Sequence, residues 1–149
     1  MNAFVTHSRE ETIALGKMFA ASIQPGDVIA LIGNLGSGKT QFVTGVCEGF
    51  GAATPVTSPT FTLINEHQTR RGKLVHIDLY RLSSRRELGE LGLEEYINGQ
   101  VVCLIEWAEI VLDLLPDTYY LVKLNYGSGE QDREIVIERV TRPGLEAGL

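Results

Sequence analysis

The chain has 149 residues, 44% apolar and 21% charged, which fits one globular domain and includes no apolar run long enough to span a membrane. Its formal charge is −6, from 13 Lys and Arg against 19 Asp and Glu, so it lacks the basic face needed to hold nucleic acid by itself. Met1-Asn2-Ala3-Phe4-Val5-Thr6 has no basic region followed by an apolar core, so no signal peptide is expected and a cytoplasmic location is.

Phe4-Val5-Thr6 predicts a short edge strand. Ser8-Arg9-Glu10-Glu11 has the form of a capping box, with Ser8 accepting from the Glu11 N–H and Glu11 reaching back. A helix is expected from there to Gln24, with Leu15, Phe19 and Ile23 as its apolar stripe and Pro25-Gly26 as its stop. Asp27 to Ile32 is continuously apolar after Asp27, the pattern of a buried central strand.

Gly33-Asn34-Leu35-Gly36-Ser37-Gly38-Lys39-Thr40 follows at once and reads G-x-x-x-x-G-K-T, the phosphate-binding P-loop pattern. Its glycines let successive backbone N–H groups face phosphate oxygens. Lys39 supplies a positive charge to the terminal phosphates, and the Thr40 hydroxyl is a candidate Mg²⁺ ligand. Asn34, Leu35, Gly36, Ser37, Gly38, Lys39, Thr40 and Gln41 form the expected nucleotide-binding set. The next helix, Thr40 to Phe50, carries Phe42, Val43, Val46 and Phe50 on one face, and Gly51 stands where a C-cap glycine belongs. Cys47 lies on this helix and Cys103 in a later apolar run. Both read as small buried hydrophobes, with a disulfide between them as the disfavoured alternative.

Thr54 to Thr60 holds two prolines and four hydroxyls and predicts an extended loop. A nucleotide-sensing role for Thr57 or Thr60 stands beside that of an ordinary connector. Phe61 to His67 and Lys73 to Tyr80 predict an antiparallel strand pair, with Arg70, Arg71 and Lys73 as a solvated tip. On the second strand Val75, Ile77 and Leu79 point one way, and Leu74, His76, Asp78 and Tyr80 the other. Asp78 is a candidate for Mg²⁺ binding or for orienting water, whereas His76 reads as a core histidine.

Residues 83–98 are interrupted by Gly89, Gly92 and Gly99 and predict one or two short helices. Val101 to Glu106 is an apolar strand ending in a carboxylate, the Walker B layout, which makes Glu106 a candidate to ligate Mg²⁺ through water or to polarise the attacking water. Trp107 follows it, to pack over the site, onto a partner, or in the core. Glu109 to Leu115 predicts a short helix stopped by Pro116, and Tyr119 to Tyr126 and Arg133 to Arg139 a second antiparallel pair. The domain is expected to occupy residues 1–140, with 141–149 as a disordered tail. The expected fold is α/β, a mixed, mostly parallel sheet with helices on both faces and antiparallel hairpins.

The P-loop, Ser58-Pro59-Thr60-Phe61, His76-Ile77-Asp78-Leu79-Tyr80-Arg81-Leu82 and Ile105-Glu106-Trp107, in this order, resemble the TsaE (YjeE) family of small bacterial ATPases. The resemblance covers most of the chain and implies a P-loop fold with ATP or ADP and Mg²⁺ as cofactors. It implies a role in making N6-threonylcarbamoyladenosine at position 37 of tRNAs reading codons that begin with A. The partners implied are TsaB and TsaD, which reach tRNA as a complex, and ATP hydrolysis is expected to reset that complex. By position, Lys39 and the loop amides bind phosphates, Thr40 and Glu106 hold Mg²⁺, and Asp78 serves hydrolysis. Thr60 lies in the switch-like loop and Trp107 beside the site. Asp78 and Glu106 both remain candidates for activating water.

Other function classes make different demands on the chain. A small-molecule kinase would use the same P-loop with Arg85 and Arg86 in a lid, although that segment is acidic. A GTPase would need the absent N-K-x-D motif. A nucleotide-binding adaptor would bind without turnover.

Overall fold

The computed structural model describes residues 2–34, 36–52, 64–80, 82 and 84–142. The strands are β1 (Asn2–Thr6), β2 (Val28–Gly33), β3 (Ile64–Thr69), β4 (Gly72–Asp78), β5 (Val102–Glu106), β6 (Thr118–Tyr126) and β7 (Arg133–Thr141). The helices are α1 (Arg9–Ala20), α2 (Lys39–Phe50), α3 (Arg85–Leu91) and α4 (Leu93–Tyr96), with a 3₁₀ segment at Ala108–Leu114.

Among the described residues the strands form one sheet in the order β1-β7-β6-β2-β5-β4-β3. Its centre, β6-β2-β5-β4, is parallel, and antiparallel strands flank it on both sides. The parallel centre goes with strands apolar on both faces, as in Val28 to Leu31 and Val102 to Ile105. Alternation sends Ile29, Leu31, Leu74 and Leu104 to a core shared with α1 and α2. It sends Val28, Ala30, Ile77 and Ile105 to a second core with α3, α4 and the 3₁₀ segment. The expected α/β architecture, with helices on both faces, is therefore what the chain adopts.

α1 and α2 pack almost backbone to backbone. A Cβ at Gly45 would lie 1.9 Å from the Ile13 carbonyl oxygen, and one at Gly16 would lie 2.2 Å from that of Phe42. Two glycines thus set how closely α2, and with it Lys39, is held to the body of the protein.

Several local expectations change. Ser8 caps α1 by accepting from the Glu11 N–H at 3.1 Å, but Glu11 accepts from the His7 N–H instead of closing the box on Ser8. α1 ends at Ala20 rather than Gln24. The Arg71 guanidinium donates to the Ala20 and Ile23 carbonyls, both at 2.7 Å, and lies over the Phe50 ring. It thereby supplies donors to the helix end that further turns would otherwise have satisfied. Arg71 is therefore a tie between elements, not part of a solvated tip. Gly89 sits inside α3 and does not interrupt it, whereas Gly92, at φ 73°, separates α3 from α4. β7 runs to Thr141, and Arg142 donates to the carbonyls of Asp113 and Leu115. Order thus extends past the expected boundary at residue 140, and 143–149 lie outside the described residues. Cys47 and Cys103 are free thiols in the two different cores, and burial pushes each up to about 12. No helix among the described residues is long and apolar enough to cross a membrane.

Candidate active site

β2 delivers the loop. A Cβ at Gly33 would lie 2.5 Å from Ser37 Oγ and 2.7 Å from the Leu124 carbonyl oxygen, so the strand can end here only on glycine. Gly36 and Gly38 take φ of 79° and 103°, backbone that residues with side chains adopt only under strain. The Ser37 N–H donates to the Asn34 carbonyl at 3.0 Å. α2 then starts at Lys39, its first intrahelical bond running from Phe42 N–H to the Gly38 carbonyl at 2.9 Å. The amides of a first helical turn, here Lys39 to Gln41, lie where an anion is favoured.

Lys39 is 5% exposed. Its Nζ donates to the Gly33 and Asn34 carbonyls and sits 3.9 Å from the Trp107 ring centroid. Burial holds its pKa below the ordinary value, against the opposite pull of Glu106, Glu109 and Asp78. Glu106 ends β5 and is 2% exposed. Asp78 ends β4 and pairs with Glu106 in the parallel register, so the two acids stand side by side. Burial raises the Asp78 carboxyl, and the Glu106 charge adds to that. The Tyr80 N–H, His76 and Lys39 act the other way.

His76 is the core histidine expected, with a contact to the site that was not. It is fully buried, and its Nε2 lies 2.5 Å from Glu106 Oε2. Two residues before Asp78 on the same strand face, it touches the acid that the Walker B layout singles out. The spacing H-x-D was the available signal, but the partner lies 30 residues away and only the sheet joins them. Trp107, at φ 59°, is the one residue other than glycine with positive φ among the described residues. That turn brings its ring over Lys39 and against Tyr80, with centroids 5.0 Å apart.

Arg133 also escaped the sequence reading. From the start of β7 its Nη2 donates to the Gly36 carbonyl at 3.0 Å, while Nη1 donates to the Glu130 and Asp132 carbonyls. It ties the loop to the β6–β7 turn. Asp132 in turn lies 2.9 Å from His7 Nδ1.

The structure therefore brings together Asn34, Gly36, Ser37, Gly38, Lys39, Thr40, Gln41, Asp78 and Glu106. Leu35, Thr57, Thr60 and Arg81 lie outside the described residues. Two features fit a magnesium nucleotide. The glycine backbone forms a cradle that side chains would fill, and Ser37 Oγ is buried with no hydrogen-bond partner among the described residues. Beside these, the two acids lie next to a buried lysine.

The family model described as "Threonylcarbamoyl adenosine biosynthesis protein TsaE" matches residues 6–135. A Bacillus subtilis protein named tRNA threonylcarbamoyladenosine biosynthesis protein TsaE is 43% identical over 91% of this chain and 84% of its own. A Rickettsia felis protein of the same name is 43% identical over 81% of this chain and 70% of its own. The crystal structure of Bacillus subtilis YdiB superposes with a TM-score of 0.73 at 37% identity, covering 98% of this chain and 89% of that one.

Proposed function

The chain belongs to the TsaE family of threonylcarbamoyladenosine biosynthesis proteins, and on that premise we propose that it is a Mg²⁺-dependent ATPase acting on a TsaB–TsaD complex in tRNA modification. The single observation that carries the ATPase reading is the placing of Asp78 and Glu106, in register on adjacent parallel strands, beside the buried Lys39.

In this reading the loop amides and Lys39 bind the phosphate chain. Lys39 exchanges the Gly33 and Asn34 carbonyls for phosphate oxygens, which are stronger acceptors for an ammonium. Thr40 and Glu106 would hold Mg²⁺, which when bound neutralises charge on the terminal phosphates. His76 fixes the Glu106 carboxylate by hydrogen bonding. Asp78, half-buried and raised by that burial, is the group nearest in character to a water-orienting base. Thr60 belongs to the segment proposed to sense the nucleotide. Turnover by the chain alone is slow, because no residue but Arg81, which lies outside the described residues, offers itself as an arginine finger, and such a charge is worth ~10³–10⁵ in rate in other P-loop enzymes.

The test is an ATPase assay with and without the partner pair, with tRNA threonylcarbamoylation followed in parallel. Hydrolysis should rise on mixing, and Lys39→Ala should lose both nucleotide hydrolysis and modification. An unchanged rate on mixing, or full modification by Lys39→Ala, would refute the proposal. Phosphate transfer to a small acceptor in place of hydrolysis would favour the kinase.

A further inference from the structure

We propose that His67 is a positioning residue for Glu106: it hydrogen-bonds His76 Nδ1, directly or through one water, and so locks His76 in the tautomer that donates to the Glu106 carboxylate. This rests on the ATPase reading above, in which Glu106 holds Mg²⁺, and adds a residue two links away that keeps the carboxylate in place.

A neutral imidazole has one N–H and one acceptor nitrogen. His76 Nε2 lies against Glu106 Oε2, and a carboxylate oxygen only accepts, so Nε2 must carry the proton. Nδ1 is then an acceptor. It is buried and has no hydrogen-bond partner among the described residues. The competing tautomer, with the proton on Nδ1, would set the lone pair of Nε2 against the carboxylate, and two acceptors at that distance repel. A donor at Nδ1 decides between the two forms, and with them whether Glu106 is held or pushed away.

His67 is the group placed to supply that donor. In the β3–β4 hairpin His67 stands opposite Leu74, and Asn65 opposite His76. Positions 74 and 76 share a face of the sheet, so His67 and His76 are diagonal neighbours on one side of the hairpin, within reach for ring side chains. His67 is 9% exposed although β3 is an edge strand. Among the described residues three buried side-chain polar atoms have no hydrogen-bond partner. Ser37 Oγ belongs to the phosphate loop, and the other two are His67 Nε2 and His76 Nδ1. Burial and the neighbouring His76 hold the His67 pKa below its ordinary value, which keeps the ring neutral with one N–H to give. Two unmet nitrogens on neighbouring rings suit one link, His67 Nε2–H toward His76 Nδ1, with a water between them where the span exceeds a direct bond. Groups behind a metal ligand orient it in this way, each fixing the next.

The experiment is nitrogen-edited NMR of the imidazole rings of the full chain, with partner-stimulated hydrolysis of Mg·ATP measured alongside, for the wild type, His67→Gln and His67→Leu. The chain has three histidines, so His7→Gln and His67→Gln assign the signals. In the wild type His76 should show a protonated Nε2 and an unprotonated, hydrogen-bonded Nδ1. His67→Gln keeps an N–H donor near the place of Nε2 and should preserve that pattern and most of the turnover. His67→Leu removes the donor. It should give mixed His76 tautomers and a kcat about tenfold lower, the low end of the loss for a group that orients a metal ligand, with KM for ATP nearly unchanged because Lys39 and the loop still bind the phosphates. A protonated Nδ1 in the wild type would overturn the proposal. So would a His67→Leu variant with wild-type tautomer and kcat, or equal losses of kcat in both variants with the His76 signals unchanged. If His67→Leu does not fold, the wild-type and His67→Gln spectra decide. A wild type that hydrolyses no ATP with its partners would refute the function proposed above, and the ring spectra would still show whether His67 sets the His76 tautomer, so the two failures are told apart.

Discussion

Trp107 holds a backbone conformation that its side chain disfavours. At φ 59° a residue with a Cβ is strained by about 1 kcal/mol or more, and glycine is not. Trp107→Ala and Trp107→Gly both remove the ring from Lys39 and Tyr80, but only the second relieves the backbone. Trp107→Gly should therefore be the more stable of the two by about 1 kcal/mol in urea unfolding; the reverse order would mean that the ring alone imposes the turn. Asp78 carries the opposite kind of burden. Its folded-state pKa lies above the ordinary 3.8, so ionising it is harder in the fold than in the unfolded chain. The resulting loss of stability is absent below the ordinary value and complete above the raised one. Asp78→Asn keeps an acceptor for the Tyr80 N–H and removes the charge. Without Mg²⁺ it should raise the melting temperature at pH 7, leave it nearly unchanged at pH 3, and lower partner-stimulated turnover. A lower melting temperature at pH 7 would show that the carboxylate is structural. Lys39, Glu106 and Asp78 were legible in the sequence because each sits at a strand end or helix start marked by its own neighbours. His76 was not, because its role depends on a partner brought in by strand pairing.

At the scale of elements, the α1–α2 contact decides where the phosphate loop sits. In an isolated helix, replacing a central glycine by alanine gains about 1 kcal/mol. At Gly45 the added methyl would lie 1.9 Å from the Ile13 carbonyl oxygen, so the helices would have to move apart. Gly45→Ala should destabilise the fold by about 1–3 kcal/mol, the range for overpacking, and weaken nucleotide binding because α2 carries Lys39. Gly89, inside α3, has nothing within 4 Å of its would-be Cβ. Gly89→Ala should then stabilise by about 0.5–1 kcal/mol. Chemical denaturation of the pair checks both signs, and equal effects at the two sites would refute the packing argument. Apolar periodicity revealed both α1 and α2, but not that glycine made their contact close. The end of α1 was misjudged for a related reason. Its last carbonyl, that of Ala20, and the Ile23 carbonyl just beyond it accept from Arg71, 51 and 48 residues away in sequence.

Across the whole molecule, the two hairpins were legible because short turns join their strands, and the central parallel strands because they are apolar on both faces. The strand order was not, since crossovers leave no local mark. The order has a consequence at the edge of the sheet. β1 pairs with β7, which sets the end of β1 and His7 after it beside the β6–β7 turn. There His7 Nδ1 lies 2.9 Å from Asp132 Oδ1, and Asp132 also accepts from the Gly129 N–H. The hydrogen bond and charge of Asp132 raise His7 above its ordinary 6.5, and His7 lowers Asp132 below its ordinary 3.8. The histidine's contribution to stability is complete below 6.5 and is lost as pH rises through its raised folded-state value. The carboxylate's contribution is complete above 3.8 and is lost as pH falls through its lowered folded-state value. The pair therefore stabilises most between those two ordinary values. Because both groups face solvent, the effect should be small and weaken with salt. Unfolding of the wild type and His7→Gln, compared from pH 4 to pH 9 at low salt, should show the gap widest near pH 5 and closing toward pH 9. A gap independent of pH would assign the contact to neutral hydrogen bonding, and a gap that widened with pH would reverse the sign argued here.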